Sequence, residues 1–301
     1  MTVRMALAAE DVVGESLIWD DRRGRLVWVD IVGRRIQTFE LVTGEHHVWP
    51  VAGRPTSIGL AADGGAIVGM QRHICRWSWE GEPDPLVEVE PHAPANRLNE
   101  GVVGPDGAFW IGTMLNNIGE GDEPLDVPSA EGGLYRYTAD GALARLSEDR
   151  FGIVNTLVFP SEGRLITADT LANTILSYRI DHDPIRLSDR RIVVEAFPRG
   201  YPDGSCLDAE GFVWNARVAG GGCLLRFAPD GRIDRVVDLP CSWPTSCAFG
   251  GPELATLFVT SARFTMTSEH LASAPYEGGV FAFEPGVRGL PELRFGGHNS
   301  L

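Results

Sequence analysis

Short apolar runs rich in β-branched and aromatic residues alternate along the whole chain with polar, glycine-bearing turns. Asp20-Asp-Arg-Arg-Gly24 precedes RLVWVD, Asp63-Gly64 precedes GAIVGM, and Pro105-Asp-Gly107 precedes AFWIGTM. Pro160-Ser-Glu-Gly163 precedes RLITADT, Asp208-Ala-Glu-Gly211 precedes FVWNAR, and Gly250-Gly-Pro-Glu253 precedes LATLFVTSA. Each turn joins two strand-forming runs, which is how a β-hairpin reads in sequence. A second hairpin with aromatic content follows most of them: RRIQTFEL, HICRWSWEG, GGLYRYTADG, NTILSYRID, GGCLLRFAPDG and GGVFAFEPG. Two hairpins make a four-stranded antiparallel unit. Its recurrence every ~40 to 50 residues marks a propeller blade. Six such blades around a central channel use up residues 1–301 as a single all-β domain.

Asp-Gly turns alone would also suit a β-sandwich, and it is the phase of the repeat that decides. The runs before the six turns align without gaps: ESLIWD from Glu15, TSIGLA from Thr56, NEGVVG from Asn99, NTLVFP from Asn155, DGSCLD from Asp203 and TSCAFG from Thr245. Every run opens on an oxygen-bearing side chain. Rotation about a propeller axis places equivalent positions of successive blades on one ring, so these six side chains are expected to converge at one mouth of the channel. Carboxylates, amides and hydroxyls facing one another are costly to desolvate unless something binds between them. Oxygen-only donors suit a hard cation: Ca²⁺, Mg²⁺ or Mn²⁺, with Zn²⁺ or Fe²⁺ also compatible.

Composition narrows the partners. Arg and Lys total 26 against 41 Asp and Glu, a formal charge of −15 that repels nucleic acid and anionic membrane surfaces. Cys75, Cys206, Cys223, Cys241 and Cys247 are odd in number and lack CxxC spacing, so neither a complete disulfide framework nor a thiolate zinc site is expected. Met1 to Leu17 shows no signal-peptide core and no apolar run approaches the ~20 residues of a membrane span; a cytoplasmic location is expected. His46, His47, His73, His92, His182, His270 and His298 show neither HxxH nor HExxH spacing and are read as surface or structural residues. No GxSxG elbow, P-loop or GxGxxG opens a helix. Trp19, Trp28, Trp110 and Trp214 fall in strands and are read as packing between blades. The acidic segment 115–131, rich in Gly and Pro and longer than a hairpin turn, is expected to lie over the channel mouth, with Asn116 and Asn117 nearest a substrate.

Gly14-Glu-Ser-Leu-Ile-Trp-Asp20, Arg97-Leu-Asn-Glu100 with Gly112-Thr-Met114, Asn155, Tyr201-Pro-Asp-Gly204 with Asp208-Ala-Glu-Gly211, and Thr245-Ser-Cys-Ala-Phe-Gly-Gly251 together resemble the regucalcin/gluconolactonase family (senescence marker protein type), nearly end to end. The resemblance implies a six-bladed propeller that hydrolyses a sugar lactone. It implies one catalytic divalent cation, Ca²⁺ foremost, held by Glu15, Asn155 and Asp203. Arg97 and Asn99 match the family's substrate-contacting pair, Asn117 stands at a further substrate position, and Asp203 takes the role of general base, with attack by metal-activated water as the variant. Three positions depart from the family pattern: Thr156 where glycine is usual, Glu100 where aspartate is common, and Asn117 where animal members carry glutamate. Competing classes are a calcium-binding regulatory propeller without turnover, an arylesterase, organophosphatase or strictosidine-synthase-like enzyme, and a protein-interaction propeller. The polar pair Arg97 and Asn99 favours a sugar over an apolar ester.

Overall fold

The computed structural model describes residues 2–297, so the expectation for His298 lies outside the described residues. Six four-stranded antiparallel sheets follow one another around a ring. Their innermost strands are Gly14–Asp20, Pro55–Leu60, Asn96–Val103, Val154–Ser161, Tyr201–Leu207 and Pro244–Gly250, one for each blade from first to sixth. Each packs against the inner strand of the next blade, and the sixth against the first. The predicted six-bladed β-propeller is therefore the fold.

The sixth blade corrects one detail of the repeat. Its outer strand is not contributed by the sixth repeat but by the N-terminal strand Arg4–Leu7, which pairs with Val280–Phe283. One blade thus joins both ends of the chain. The segment that leads from this strand into the first blade is fixed by two buried aspartates. Asp11 accepts from Trp28 Nε1 at 2.8 Å, Gln37 Nε2 at 2.7 Å and Arg35 at 2.9 Å. Asp30 accepts from the Val12 and Val13 amides at 3.0 and 2.9 Å. After the last strand the chain crosses the far mouth of the channel: Gly289 donates to Leu254 O at 2.9 Å, and Phe295 donates to Leu60 O at 2.8 Å and stacks on Tyr137.

Blades pack through large side chains. Trp28, Trp77, Trp110 and Trp214 are almost wholly buried. Two of them return a hydrogen bond to the aspartate of the preceding turn, Trp110 Nε1 to Asp106 at 3.1 Å and Trp214 Nε1 to Asp208 at 2.9 Å. A turn residue and a core residue are thereby satisfied together, since a buried indole N–H needs a partner. The five cysteines are unpaired, and the two whose sulfurs approach most closely, Cys206 and Cys247, lie 3.6 Å apart on neighbouring inner strands.

One irregularity repeats in all six blades. The pairing of each inner strand with its neighbour shifts register at the same place: between Glu15 and Ile18, Pro55 and Ser57, Leu98 and Gly101, Asn155 and Val158, Pro202 and Ser205, and Pro244 and Cys247. One residue is extra at each point, a β-bulge that bends the strand and re-aims its side chains. The bulge sits on the ring positions read from the sequence. It breaks the in-out alternation there, so Asn99 borders the cavity at one mouth while the adjacent Glu100 borders the cavity beneath it.

Candidate functional site

At the end of the channel where the inner strands begin, a cavity of about 130 Å³ is bordered by Glu15, Arg97, Asn99, Asn117, Asn155, Asp203 and Thr245. Every site residue expected from the sequence is in this set, and five of the six ring residues are. Thr56 is the exception: its hydroxyl is buried against its own blade and donates to Gly69 O at 3.1 Å. Asn116 also differs from expectation. Its side chain closes a local turn, donating to Ile118 O at 2.7 Å, and it is the side chains of Asn117 and Ile118 that border the cavity.

A single chain of hydrogen bonds sets the orientation of the polar wall. Asn117 Oδ1 accepts from Arg97 Nη2 at 2.9 Å, and Arg97 Nη1 donates to Asn99 Oδ1 at 2.7 Å. Asn99 Nδ2 then donates to Asn155 Oδ1 at 3.0 Å and to Val154 O at 2.9 Å. Asn155 Nδ2 donates to Thr170 Oγ1 at 2.8 Å, and Thr170 passes its own proton to Pro202 O at 2.8 Å. With its nitrogen committed to Thr170, Asn155 offers its carbonyl oxygen to the cavity side, and that oxygen keeps a second lone pair free for a cation.

Opposite stand the acids. Glu15 accepts from the Ser16 amide at 3.0 Å, and the Glu15 and Asp203 carboxyls hydrogen-bond one another. Burial pushes Glu15 up to about 7, against the opposing pull of the Ser16 N–H and Arg97. Burial, with the negative charges of Glu15 and Glu100, raises Asp203 well above the usual carboxylate range. Glu100 is pushed up to about 8 by burial and by Glu15. Arg97, also buried, is lowered to about 10 and so stays protonated at neutral pH. Glu15 and Asp203 thus stand beside one guanidinium, and Glu100, which borders the cavity beneath, adds its negative charge to theirs. Left to themselves they hold protons; a divalent cation would replace those protons and satisfy the oxygens of Glu15, Asn155 and Asp203. The donor set is all oxygen, which fits Ca²⁺, Mg²⁺ or Mn²⁺.

The chain is built locally to deliver these groups. Gly204 follows Asp203 because a Cβ there would fall 2.9 Å from Thr245 O and from Ser246 Cα on the adjacent blade. Ser16 and Thr156 follow Glu15 and Asn155 with φ of 52° and 55°, the left-handed region in which the bulge turns the strand.

The other wall is apolar: Ile31, Met114, Ile118, Trp243 and Phe264 are among its residues. Of these, only Met114 stands in a motif quoted from the sequence. Trp243 stands directly before the Pro244-Thr245 repeat start, and that adjacency was the available signal. Ile118 is brought to the cavity by the segment 115–131, which is tied down from outside. Arg54 Nη2 donates to Gly119 O and to Asp122 Oδ1, both at 2.6 Å, and Arg34 pairs with the same carboxylate at 2.7 Å.

Among the described residues, a grouping of three ligand atoms from His, Cys, Asp or Glu within 4.8 Å of one another occurs at Glu40, Glu45 and His47. It lies at the outer strands of the first blade, with Glu45 and His47 exposed, and is separate from the channel. No described helix is long and apolar enough to cross a membrane.

Comparison with known proteins agrees with the fold. The family model described as SMP-30/Gluconolactonase/LRE-like region matches residues 13–263. A protein named L-arabinolactonase from Azospirillum brasilense is 34% identical over 293 residues, covering 95% of this chain and 93% of its own. A 6-deoxy-6-sulfogluconolactonase from Pseudomonas putida is 32% identical over 301 residues, covering 98% and 99%. The crystal structure of a calcium-binding protein, regucalcin, from Agrobacterium tumefaciens superposes with a TM-score of 0.88 at 26% identity, over 98% of this chain and 97% of that one. The match spans the inner strands of all six blades in full and the ring that they carry, and this chain belongs to the SMP-30/gluconolactonase/LRE-like family.

Proposed function

We propose that this protein hydrolyses a small, uncharged aldonolactone to the aldonic acid, using one divalent cation, Ca²⁺ foremost, held by Glu15, Asn155 and Asp203. The observation that carries the reading is the convergence of these three oxygen donors beside Arg97 and Asn99 in one cavity at the channel mouth. The named activities of the two lactonase relatives support it.

When bound, a divalent cation supplies a Lewis acid for the lactone carbonyl and offsets the charge of the tetrahedral intermediate. The chain's own groups do the rest. Asp203, a carboxylate once a cation has displaced its proton, takes a proton from the attacking water as the new C–O bond forms at the carbonyl carbon. When the ring C–O bond breaks, the same proton passes to the departing ring oxygen, so the acid and the freed hydroxyl appear together. Arg97, protonated throughout, holds Asn99 and Asn117 in place and, with four of its five N–H groups engaged, keeps one Nη2 N–H for a ring hydroxyl. The apolar wall of Ile118, Trp243 and Phe264 excludes bulk water and covers the C–H face of the sugar.

Substrate charge follows from the same inventory. Among the described residues Arg97 is the one cationic side chain bordering the cavity, and it is already engaged by two asparagines. A sulfonate or phosphate on the sugar would find acids and apolar carbons. The test is a panel of pentono- and hexonolactones, their 6-sulfonated counterparts and an aryl ester, each followed by proton release. Neutral lactones should exceed the sulfonated ones at least about tenfold in kcat/KM. Turnover of the aryl ester alone would replace the reading with an arylesterase, and cation uptake without turnover on any substrate would replace it with a binding protein.

A further inference from the structure

Thr156 follows Asn155 in the bulge of the fourth inner strand, wholly buried and with a φ of 55°. A β-branched residue is out of place in that region, which glycine enters freely. Its hydroxyl is fully used. It donates to the Asp203 carbonyl at 2.5 Å, lies 2.9 Å from Ser205 Oγ, and accepts from Asn215 Nδ2 at 3.2 Å. Since its one proton goes to Asp203, the Ser205 hydroxyl is the donor in that second contact. Asn215 Nδ2 also reaches the same Asp203 carbonyl at 3.1 Å and Ser205 at 3.0 Å, and Arg217 Nη1 donates to Asn215 Oδ1 at 3.3 Å. The knot joins the backbone of Asp203, in the fifth blade, to the bulge that carries Asn155, in the fourth.

We infer that Thr156 is a positioning residue whose hydroxyl clamps Asp203 to the Asn155 bulge and so fixes the spacing of two cation donors that come from different blades. A hydroxyl placed at a backbone position that disfavours its own residue type, and spent on the main chain of the opposing donor, is the geometry from which this follows. The inference rests on the reading that Asn155 and Asp203 hold the cation. Partners that orient ligating groups are worth about 10- to 100-fold in metal affinity.

The test compares Thr156→Val, Thr156→Gly and Thr156→Ser with the wild type in metal-stripped protein. Mn²⁺ affinity is read by electron paramagnetic resonance, and kcat and KM are then measured at saturating Mn²⁺. Folding is not at risk in all three: glycine relieves the backbone, and Asn215 still holds the Asp203 carbonyl in each. The valine and glycine variants should bind Mn²⁺ about 10- to 100-fold more weakly. Their kcat should fall while KM holds, and serine should restore affinity to within about threefold. Valine and glycine variants that bind Mn²⁺ like the wild type, or a serine variant as weak as valine, overturn the inference and leave the lactonase reading standing. A wild-type protein that takes up no Mn²⁺ overturns both.

Discussion

Stripping the cation should make the protein less stable as the pH rises from 5 to 8. Glu15 is raised from 4.5 to about 7 and Glu100 to about 8 by burial. Between the unfolded and folded values the native state therefore binds more protons than the unfolded chain, and unfolding free energy falls with rising pH across that window. The contribution is present below pH 4.5 and lost as the pH passes the folded values. For Glu15 alone the shift corresponds to about 3 kcal/mol, from about 1.4 kcal/mol per unit. Unfolding entropy scales at about 2.1 cal/mol/K per residue, so a chain of this length should lose roughly 5 °C in Tm. Bound cation reverses the trend, because it needs the ionised carboxylates and displaces their protons. At one hundred times its Kd it should add about 2.7 kcal/mol at pH 8 and far less at pH 5. The assay is thermal unfolding by circular dichroism at pH 5 and 8, with chelator or with Ca²⁺, on the wild type and on Glu15→Gln. The variant controls for the general repulsion of a chain of charge −15, since it keeps that repulsion and loses the Glu15 titration. A metal-free Tm that is flat or rising with pH, or a decline equally steep in Glu15→Gln, would refute the assignment of these buried acids to one proton-holding cluster.

Glu15→Gln and Asp203→Asn should each lower kcat by at least about 100-fold while leaving the all-β circular dichroism unchanged, and a variant with undiminished turnover loses its assigned role. Arg97→Ala should raise KM and also disturb Asn99 and Asn117, whose oxygens it holds; a loss confined to kcat would move Arg97 into transition-state stabilisation. Asp122→Asn removes the charge that Arg34 and Arg54 share, freeing the segment that presents Asn117 and Ile118. KM should then rise about tenfold with kcat within about twofold, as expected for lost substrate positioning, and an unchanged KM would show that the segment needs no latch.

The blades were legible because turn chemistry and strand composition repeat together: Asp208-Ala-Glu-Gly211 before FVWNAR is the same device as Pro105-Asp-Gly107 before AFWIGTM. The ring was legible from phase, since rotation about the axis superposes equivalent positions. What phase cannot carry is side-chain aim. Thr56 holds the ring register of the second blade yet turns to Gly69, in the one inner strand whose register shift closes within two residues, Pro55 to Ser57, where the other five take three. Bulges are defined by pairing with a neighbouring strand, and no single strand's sequence states its partner's register. The apolar wall was hidden for a different reason. Trp243, Phe264 and Ile118 come from three separate connections, and only the closed ring brings them together. Circular closure through Arg4–Leu7 was likewise invisible, because the short run resembles any other strand and its partner lies at the opposite end of the chain.

The most direct measurement is initial-rate hydrolysis of gluconolactone, galactonolactone, xylonolactone and arabinonolactone by metal-stripped wild type and Glu15→Gln, before and after adding Ca²⁺, Mn²⁺, Zn²⁺ or Fe²⁺. The expected result is turnover of at least one lactone above its spontaneous rate that appears in the wild type on adding the cation and does not appear in Glu15→Gln. Equal turnover with and without cation, or full restoration in the variant, would contradict a cation held at the Glu15, Asn155 and Asp203 mouth of the channel.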